Sequence, residues 1–466
     1  MLKCTKSSLS AALFLPASIL AACSSGTAAK GPTPAEASVD AAAAADTGIP
    51  ERDSAAGDVA PAARPDAAVS AVCQHELDNP ACWSTFDTNG LTSSSPNFFG
   101  ALFDGRYVTF VNGASAPSLR YDTTGAFGES ASWRGFSPIS FGSAAWGFSG
   151  AGFDGRYLYL VPTNAMYGHD AIVARYDSQT LYSSGEAFNL TMASGTADPG
   201  VPGFIGAAFG RYLYFAPAED RAGPSGRVLR FDTQATFAAA ASWSSFDMAT
   251  VAVNAKGFKG AVFDGRYVYF VPWASAHDHV SGTTTPSGLV MRFDSTASFS
   301  DSGSWSSFDA TTLSPPAAGF AGATFDGRYI YLPPNALNGI VAVCYDTQAD
   351  FTSAASWASF DAKVLDTSGF SSDWQFSGAS FDGRYVYFIP ENDDVLVRYD
   401  VQASFTTASA WSTFSMDSVG AYDDGFAGAA FDGRYLYIVS TGYGPMLRFD
   451  ARTPPALPPG HNASFY

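Results

Sequence analysis

The sequence predicts an all-β fold: a seven-bladed β-propeller of four-stranded antiparallel blades, its ring closed by an N-terminal strand. Three observations carry this. The string Phe-Asp-Gly-Arg-Tyr, or a shortened copy, occurs seven times. Each copy is followed by a second landmark ending in an aromatic-Asp pair. A Trp-x-x-Phe segment missing from the last unit stands alone before the first. Repetition takes precedence over length, since 466 residues alone would suggest about two to four domains.

The full strings begin at Phe103, Phe153, Phe263, Phe325, Phe381 and Phe431, and the short copy is Phe209-Gly210-Arg211-Tyr212. Their arginines, Arg106, Arg156, Arg211, Arg266, Arg328, Arg384 and Arg434, are spaced 50, 55, 55, 62, 56 and 50 residues apart. Downstream lie Arg120-Tyr121-Asp122, Arg175-Tyr176-Asp177, Arg230-Phe231-Asp232, Arg292-Phe293-Asp294, Cys344-Tyr345-Asp346, Arg398-Tyr399-Asp400 and Arg448-Phe449-Asp450. Trp133, Trp243, Trp305, Trp357 and Trp411 each have Phe three residues on, and unit two has a degenerate stretch around Phe188.

Unit four shows the expected strands. Residues 257–263 form the first. Asp264-Gly265 reads as a two-residue type I′ turn, because Asp-Gly accepts positive φ. Arg266 to Val271 is the second strand, ended by Pro272. After a variable loop, Leu289 to Asp294 and Ser304 to Phe308 are the third and fourth. The second strand is apolar on both faces, as a sheet packed between two neighbours requires. The orphan Trp83-Ser84-Thr85-Phe86 supplies the strand the seventh unit lacks, and ring closure removes exposed edges. A parallel β-helix has shorter repeats and no use for that strand. The repeat is loosely similar to Kelch and quinoprotein-type propeller repeats, through a turn Gly followed by Tyr-x-Tyr. It lacks the double Gly of Kelch and the Trp-Asp of WD40 units, so the resemblance implies a fold and no activity.

The N-terminus reads as an export signal. Lys3 and Lys6 precede an apolar stretch, Leu9 to Leu20, too short to span a bilayer. Leu20-Ala21-Ala22-Cys23 resembles the lipobox of bacterial lipoproteins. The resemblance implies lipidation of Cys23, and Ser24 after it implies the outer membrane of a Gram-negative bacterium, on its periplasmic or surface side. Residues 24–72 are rich in Ala, Pro, Ser, Gly and Asp without aromatics, a composition suited to a disordered tether. The expected organisation is therefore 1–22 signal peptide, 23–72 lipidated Cys and tether, 73–453 propeller and 454–466 tail. The whole resembles bacterial surface lipoproteins built in that order. Cys73 and Cys82 are expected to form a disulfide pinning the first strand; the alternative is a metal site that recruits His75.

The net charge of −18, from 25 Lys+Arg and 43 Asp+Glu, argues against a nucleic-acid partner and against anionic headgroups as a partner. Membrane contact is expected through the lipid anchor only, and the protein is expected to be a monomer. No nucleophile elbow, His-Glu-x-x-His or phosphate-cradling loop is present. The repeated Arg and Asp are expected to pair at blade-to-blade contacts, since a catalytic group is needed once rather than seven times. The Trp and Phe of the third landmark are expected in the core.

Chemistry is expected on the connections between second and third strands, which are the least repeated parts. Unit four has the longest, with Trp273, His277, Asp278 and His279; unit two has Tyr167, His169 and Asp170; unit three has Glu219, Asp220 and Arg221; unit six has Glu391, Asp393 and Asp394. The histidines and carboxylates would suit Zn, with His169, His277 and His279 as candidate ligands, and Glu391 to Asp394 would suit Ca. No cofactor is otherwise expected. Trp273, Tyr167, Trp374, Tyr422 and Tyr443 would suit a carbohydrate. The sequence thus points to a cell-envelope binding or scaffold module for a protein or polysaccharide. The alternative is an envelope hydrolase or lyase, metal-dependent or carboxylate-based, with its site on the same face.

Overall fold

Alternating apolar segments ended by Pro or Asp form short strands, and each repeat folds into a four-stranded antiparallel sheet in chain order. The computed structural model describes residues 73, 75–91, 97–113, 117–137, 147–163, 172–180, 185–189, 203–220, 222–277, 282–335, 339–366, 374–420, 425–442 and 444–451. Cys23, Tyr167, His169, Asp170, Asp278, His279, Tyr422 and Tyr443 lie outside them, as do the expected signal, tether and tail. Among the described residues no helix is long and apolar enough to cross a membrane.

Blade 1 comprises Phe98–Phe103, Tyr107–Asn112, Ser118–Asp122 and Trp133–Phe136. Blades 2 to 6 follow the same plan, from Phe148–Phe153 to Trp411–Ser415. Blade 7 takes Phe426–Phe431, Tyr435–Ser440 and Met446–Asp450 from the end of the chain and its outer strand from Trp83–Phe86. Trp83 lies opposite Phe449 and Phe86 opposite Met446, so the ring closes as the orphan segment predicts.

The first strands of successive blades adjoin one another and form the inner wall of the ring. Six carry Gly at the third position, Gly100, Gly150, Gly206, Gly260, Gly378 and Gly428, and Gly322 holds the equivalent place just before the short first strand of blade 5, Thr324–Phe325. A Cβ on Gly260, whose φ is +117°, would lie 3.0 Å from Gly322 Cα. Close backbone approach fixes this residue type. Between blades, the Phe of one outer strand stacks on the Trp of the next. Phe86 with Trp133, Phe246 with Trp305, Phe308 with Trp357, Phe360 with Trp411 and Phe414 with Trp83 have centroids 4.3–5.1 Å apart.

The disulfide Cys73–Cys82 forms and immediately precedes the closing strand. In five blades the outer-strand Trp donates its Nε1–H to the carbonyl of a Phe six residues earlier, at 2.8–3.1 Å. Trp83 makes the same bond, 2.9 Å, to Leu77 inside the disulfide loop. The loop therefore replaces the third-to-fourth connection that blade 7 lacks. His75 packs inside it at φ +60°, its Nδ1 3.1 Å from Asp382 Oδ2, and both cysteines are consumed by the disulfide. The metal alternative for Cys73, His75 and Cys82 is thereby excluded.

Two expectations need correction. The Asp-Gly turn is not type I′: in it the Gly, and not the Asp, has positive φ, and Phe263 pairs with Val268 across a four-residue loop. The Asp side chain governs this turn. In six blades its Oδ1 accepts the N–H groups of the following Arg and Tyr at 2.6–2.9 Å. In five its Oδ2 takes a buried tyrosine hydroxyl, as Tyr269 donates to Asp264 at 2.7 Å.

The repeated Arg-Asp pairs also lie within blades, not between them. The turn arginine binds the Asp ending its own blade's third strand, as in Arg106–Asp122, 2.8 Å, and Arg266–Asp294, 2.7 Å. Six blades show this pair. Contact between blades falls to the third-strand arginine, through aromatic faces. Arg292 lies 4.3 Å over Tyr267 of its own blade and 4.3 Å over Phe351 of the next. A guanidinium sandwiched between rings needs no carboxylate to hold two blades together.

Candidate functional site

Antiparallel blades give the ring two ends. One carries the Asp-Gly-Arg turns, the other the second-to-third connections. At this second end one position is equivalent in all seven blades: the residue just after the second strand or, in blade 5, just after the Phe320–Pro334 bridge that follows it. Its N–H bonds the carbonyl of the residue before, or at the entry to, the first strand. The seven are Gly113, Thr163, Ala218, Trp273, Asn335, Glu391 and Thr441, with bonds of 2.7–3.2 Å. Backbone geometry is the same, yet only Thr163 and Thr441 share a side chain. Small residues occupy blades 7, 1, 2 and 3, while Trp, Asn and Glu occupy consecutive blades 4, 5 and 6.

These three belong to one network. Lys259, on the first strand of blade 4, places Nζ 4.3 Å over the ring of Trp273 and donates to Asn335 Oδ1 at 3.2 Å. Asn335 is 5% exposed, and its Nδ2 donates to the Phe376 carbonyl at 2.9 Å and to Glu391 Oε2. Trp273 meets His277 edge to face, with centroids 5.4 Å apart. His277 Nδ1 is 3.0 Å from Oε2 of Glu219 in blade 3, a carboxylate only 4% exposed. A buried carboxylate requires such a partner. Glu219, His277, Trp273, Lys259, Asn335 and Glu391 thus form a connected polar and aromatic band across blades 3 to 6.

The connections of blades 3 and 4 are not plain loops. Glu219–Asp220 pairs with Gly223–Pro224, and Ala274–His277 pairs with Thr284–Pro286, each as a short antiparallel ribbon. His277 lies at a defined ribbon position for that reason. Asp393 and Asp394 do not join Glu391. Asp393 Oδ1 accepts the Asp394 N–H at 2.7 Å, and Asp394 Oδ2 accepts the Ser415 hydroxyl, so both serve the blade 6 turn. Trp374, expected on a loop surface, is 4% exposed in the core between blades 5 and 6. Among the described residues no three His, Cys, Asp or Glu converge as a metal-ligand set.

Lys259 and Asn335 were not singled out from the sequence, whereas Glu219 was named in the unit-three connection. Aligning the seven units on the residue after the second strand would have exposed the divergent positions. Lys259 has a comparable signal, because its counterparts are Phe99, Ser149, Ile205, Ala321, Ser377 and Ala427.

The ring is a seven-bladed β-propeller. Solved structures agree with this. Virginiamycin B lyase from Staphylococcus aureus is 10% identical, with TM-score 0.52, over 79% of this chain and 98% of that one. A streptogramin B lyase is 9% identical, with TM-score 0.50, over 78% and 96%. YCF48 from Cyanidioschyzon merolae is 11% identical, with TM-score 0.51, over 79% and 98%. At such identities the likeness establishes the fold alone. No family model matches the chain, and no curated protein matches it in sequence.

At the opposite end, the seam between blades 6 and 7 gathers His75, Asp382, Tyr387 and Arg398. Asp382 is fully buried and takes the Tyr387 hydroxyl at 2.7 Å as well as His75. Arg398 Nη1 donates to the His75 carbonyl at 2.6 Å. Burial, followed by the Asp382 charge, pushes the Tyr387 hydroxyl well above the ordinary phenol range. Asp-Tyr pairs of this kind recur in four other blades, so this cluster is a closure device rather than a site of chemistry.

Proposed function

We propose that this is an exported, lipid-anchored cell-envelope protein whose propeller is a binding module, with a polysaccharide as its ligand on the band across blades 3 to 6. The observation that carries the reading is the divergence of seven backbone-equivalent positions. The shared backbone bond needs only an N–H there, so it does not dictate the Trp273, Asn335 and Glu391 side chains. Aromatic carbon beside carboxylate, amide and ammonium groups suits a sugar, which offers apolar C–H faces and many hydroxyls. The lipobox-like segment ending at Cys23 and the tether-like composition of 24–72 support the envelope address. Screening the mature chain on a glycan array, with Trp273→Ala alongside, tests it. Selective retention of a glycan by the wild type supports the proposal, and retention of envelope proteins instead would move the ligand class to protein.

A second reading, an envelope enzyme, is favoured by His277. A carboxylate held on one ring nitrogen orients a histidine for proton transfer at the other. Virginiamycin B lyase, of like fold, has been solved as a catalytically inactive histidine-to-alanine variant with quinupristin. Any retained glycan should therefore be checked for cleavage, and His277→Ala should abolish cleavage while sparing binding if this reading holds.

A further inference from the structure

Blade 1 departs from the repeat at the mouth of the central channel. Phe99 is the second residue of its first strand, the position that Lys259 holds in blade 4. The other blades have Ser149, Ile205, Ala321, Ser377 and Ala427 in the equivalent place, so the strand does not require an aromatic side chain. Phe99 is 40% exposed and is the one exposed phenylalanine among the described residues. The pairing of first and second strands slips between Phe98 and Gly100, and Phe99 is the extra residue of that bulge. A bulge re-aims a side chain.

Its neighbour seats the phenyl group. Gly113 is the one Gly among the seven residues that follow the second strands, and a Cβ there would overlap Cδ2 and Cε2 of Phe99. The phenyl group therefore lies over backbone where the other blades carry a side chain. Blade 4 makes the converse choice. Its residue after the second strand is Trp273, and its first strand supplies Lys259 beside the indole. Each of the two blades thus sets one aromatic group at this end of the propeller, by exchange between two positions. Both first strands belong to the inner wall, and blades 1 and 4 stand nearly opposite in a circle of seven. An aromatic group already held in place loses little freedom on binding, and the C–H face of a sugar covers such a surface.

We infer that Phe99 is a second sugar-stacking platform, and that the ligand is an extended saccharide chain lying across the channel mouth from Trp273 to Phe99. This rests on the saccharide reading of the band across blades 3 to 6 and adds a length requirement to it. A disaccharide engages Trp273 alone. A chain long enough to cross the mouth engages both, and its second contact forms within the complex at high effective concentration.

The test is calorimetric titration of the mature full-length chain with cello-, chito- and malto-oligosaccharides, from disaccharide to octasaccharide. In the series that binds, the wild type is expected to hold the longest chains at least about tenfold more tightly than the shortest. Phe99→Ser, which installs the residue of blades 2 and 6, is expected to remove that gain, leave disaccharide affinity unchanged and melt with the wild type. Phe99→Tyr keeps an aromatic group and is expected to keep the gain, which ties the effect to stacking rather than to a disturbed strand. Trp273→Ala is expected to weaken every length. Equal affinity for short and long chains in the wild type, or wild-type affinity for long chains in Phe99→Ser, would overturn the span while Trp273→Ala still reports on the band. Self-association of the wild type in sedimentation, lost in Phe99→Ser, would assign Phe99 to a second copy of the chain and overturn the span as well. Binding of none of these chains, and of no glycan on the array, would overturn both readings.

Discussion

Removing the Cys73–Cys82 disulfide should loosen the ring at one seam. The bridge closes a separation of 9 residues, for which the chain-entropy relation gives about 2.6 kcal/mol. The loop it closes carries three contacts that hold blade 7 together: Trp83 Nε1 to the Leu77 carbonyl, Arg398 to the His75 carbonyl, and His75 to Asp382. A propeller of roughly 380 residues has an unfolding entropy near ~0.8 kcal/mol/K, so the loss corresponds to about 3 °C. The Cys73→Ala/Cys82→Ala double variant of the mature chain, melted beside the wild type with and without reductant, reads this directly. Reductant should lower the wild type to the variant and leave the variant unmoved. Amide exchange should quicken at Trp83–Phe86 before it quickens in blade 4. A variant that melts with the wild type would refute the reasoning, because strand pairing and the Trp83–Phe414 stack would then close the ring unaided.

Other expectations follow from the repeat. Tyr269→Phe strips the donor from Asp264 Oδ2 and should cost about 1–3 kcal/mol in urea melts. Tyr214→Phe should cost less than Tyr269→Phe, because blade 3 lacks the turn Asp that takes this hydroxyl in five other blades. Gly260→Ala should destabilise by about 1–3 kcal/mol, since the added methyl at φ +117° meets Gly322 Cα at 3.0 Å. The Arg266 hydrogen bond is the largest influence on Asp294, holding its carboxyl at about 2 against an ordinary 3.8. That contribution is present above pH 3.8 and is lost as pH falls toward 2. Asp294→Asn should therefore lower stability at neutral pH but flatten the acid limb, by a modest amount because Arg266 is largely exposed.

The blade count, the closing strand and the disulfide were legible because each rests on residue type at fixed spacing. The turn was misread for a physical reason. Asp-Gly favours type I′ in isolation, but here the Asp carboxylate is used by two N–H groups and a tyrosine hydroxyl, and a longer turn provides for them. The arginine pairs were assigned to the wrong interface because sequence shows which charges recur and not which aromatic faces they meet. Trp374 has the composition of a binding residue and the surroundings of a core one. Of the candidate site, His277, Trp273 and Glu391 were legible from unusual connections. Glu219 was legible as a connection residue but not as the partner of His277, and Lys259 and Asn335 were not legible, since these meetings depend on how neighbouring blades are set. The seating of Phe99 over Gly113 was equally hidden, being a property of strand pairing.

The most direct test of the central claim is the affinity of the mature chain for the glycan it retains, measured by calorimetry with the wild type, Trp273→Ala and Arg134→Ser. The account predicts about tenfold or greater weakening for Trp273→Ala, as truncation of a central aromatic contact usually brings. It predicts no change for Arg134→Ser, at the other end of the ring. Equal affinity in Trp273→Ala, or no glycan retained by the wild type, would contradict the assignment of the band across blades 3 to 6 as a saccharide site.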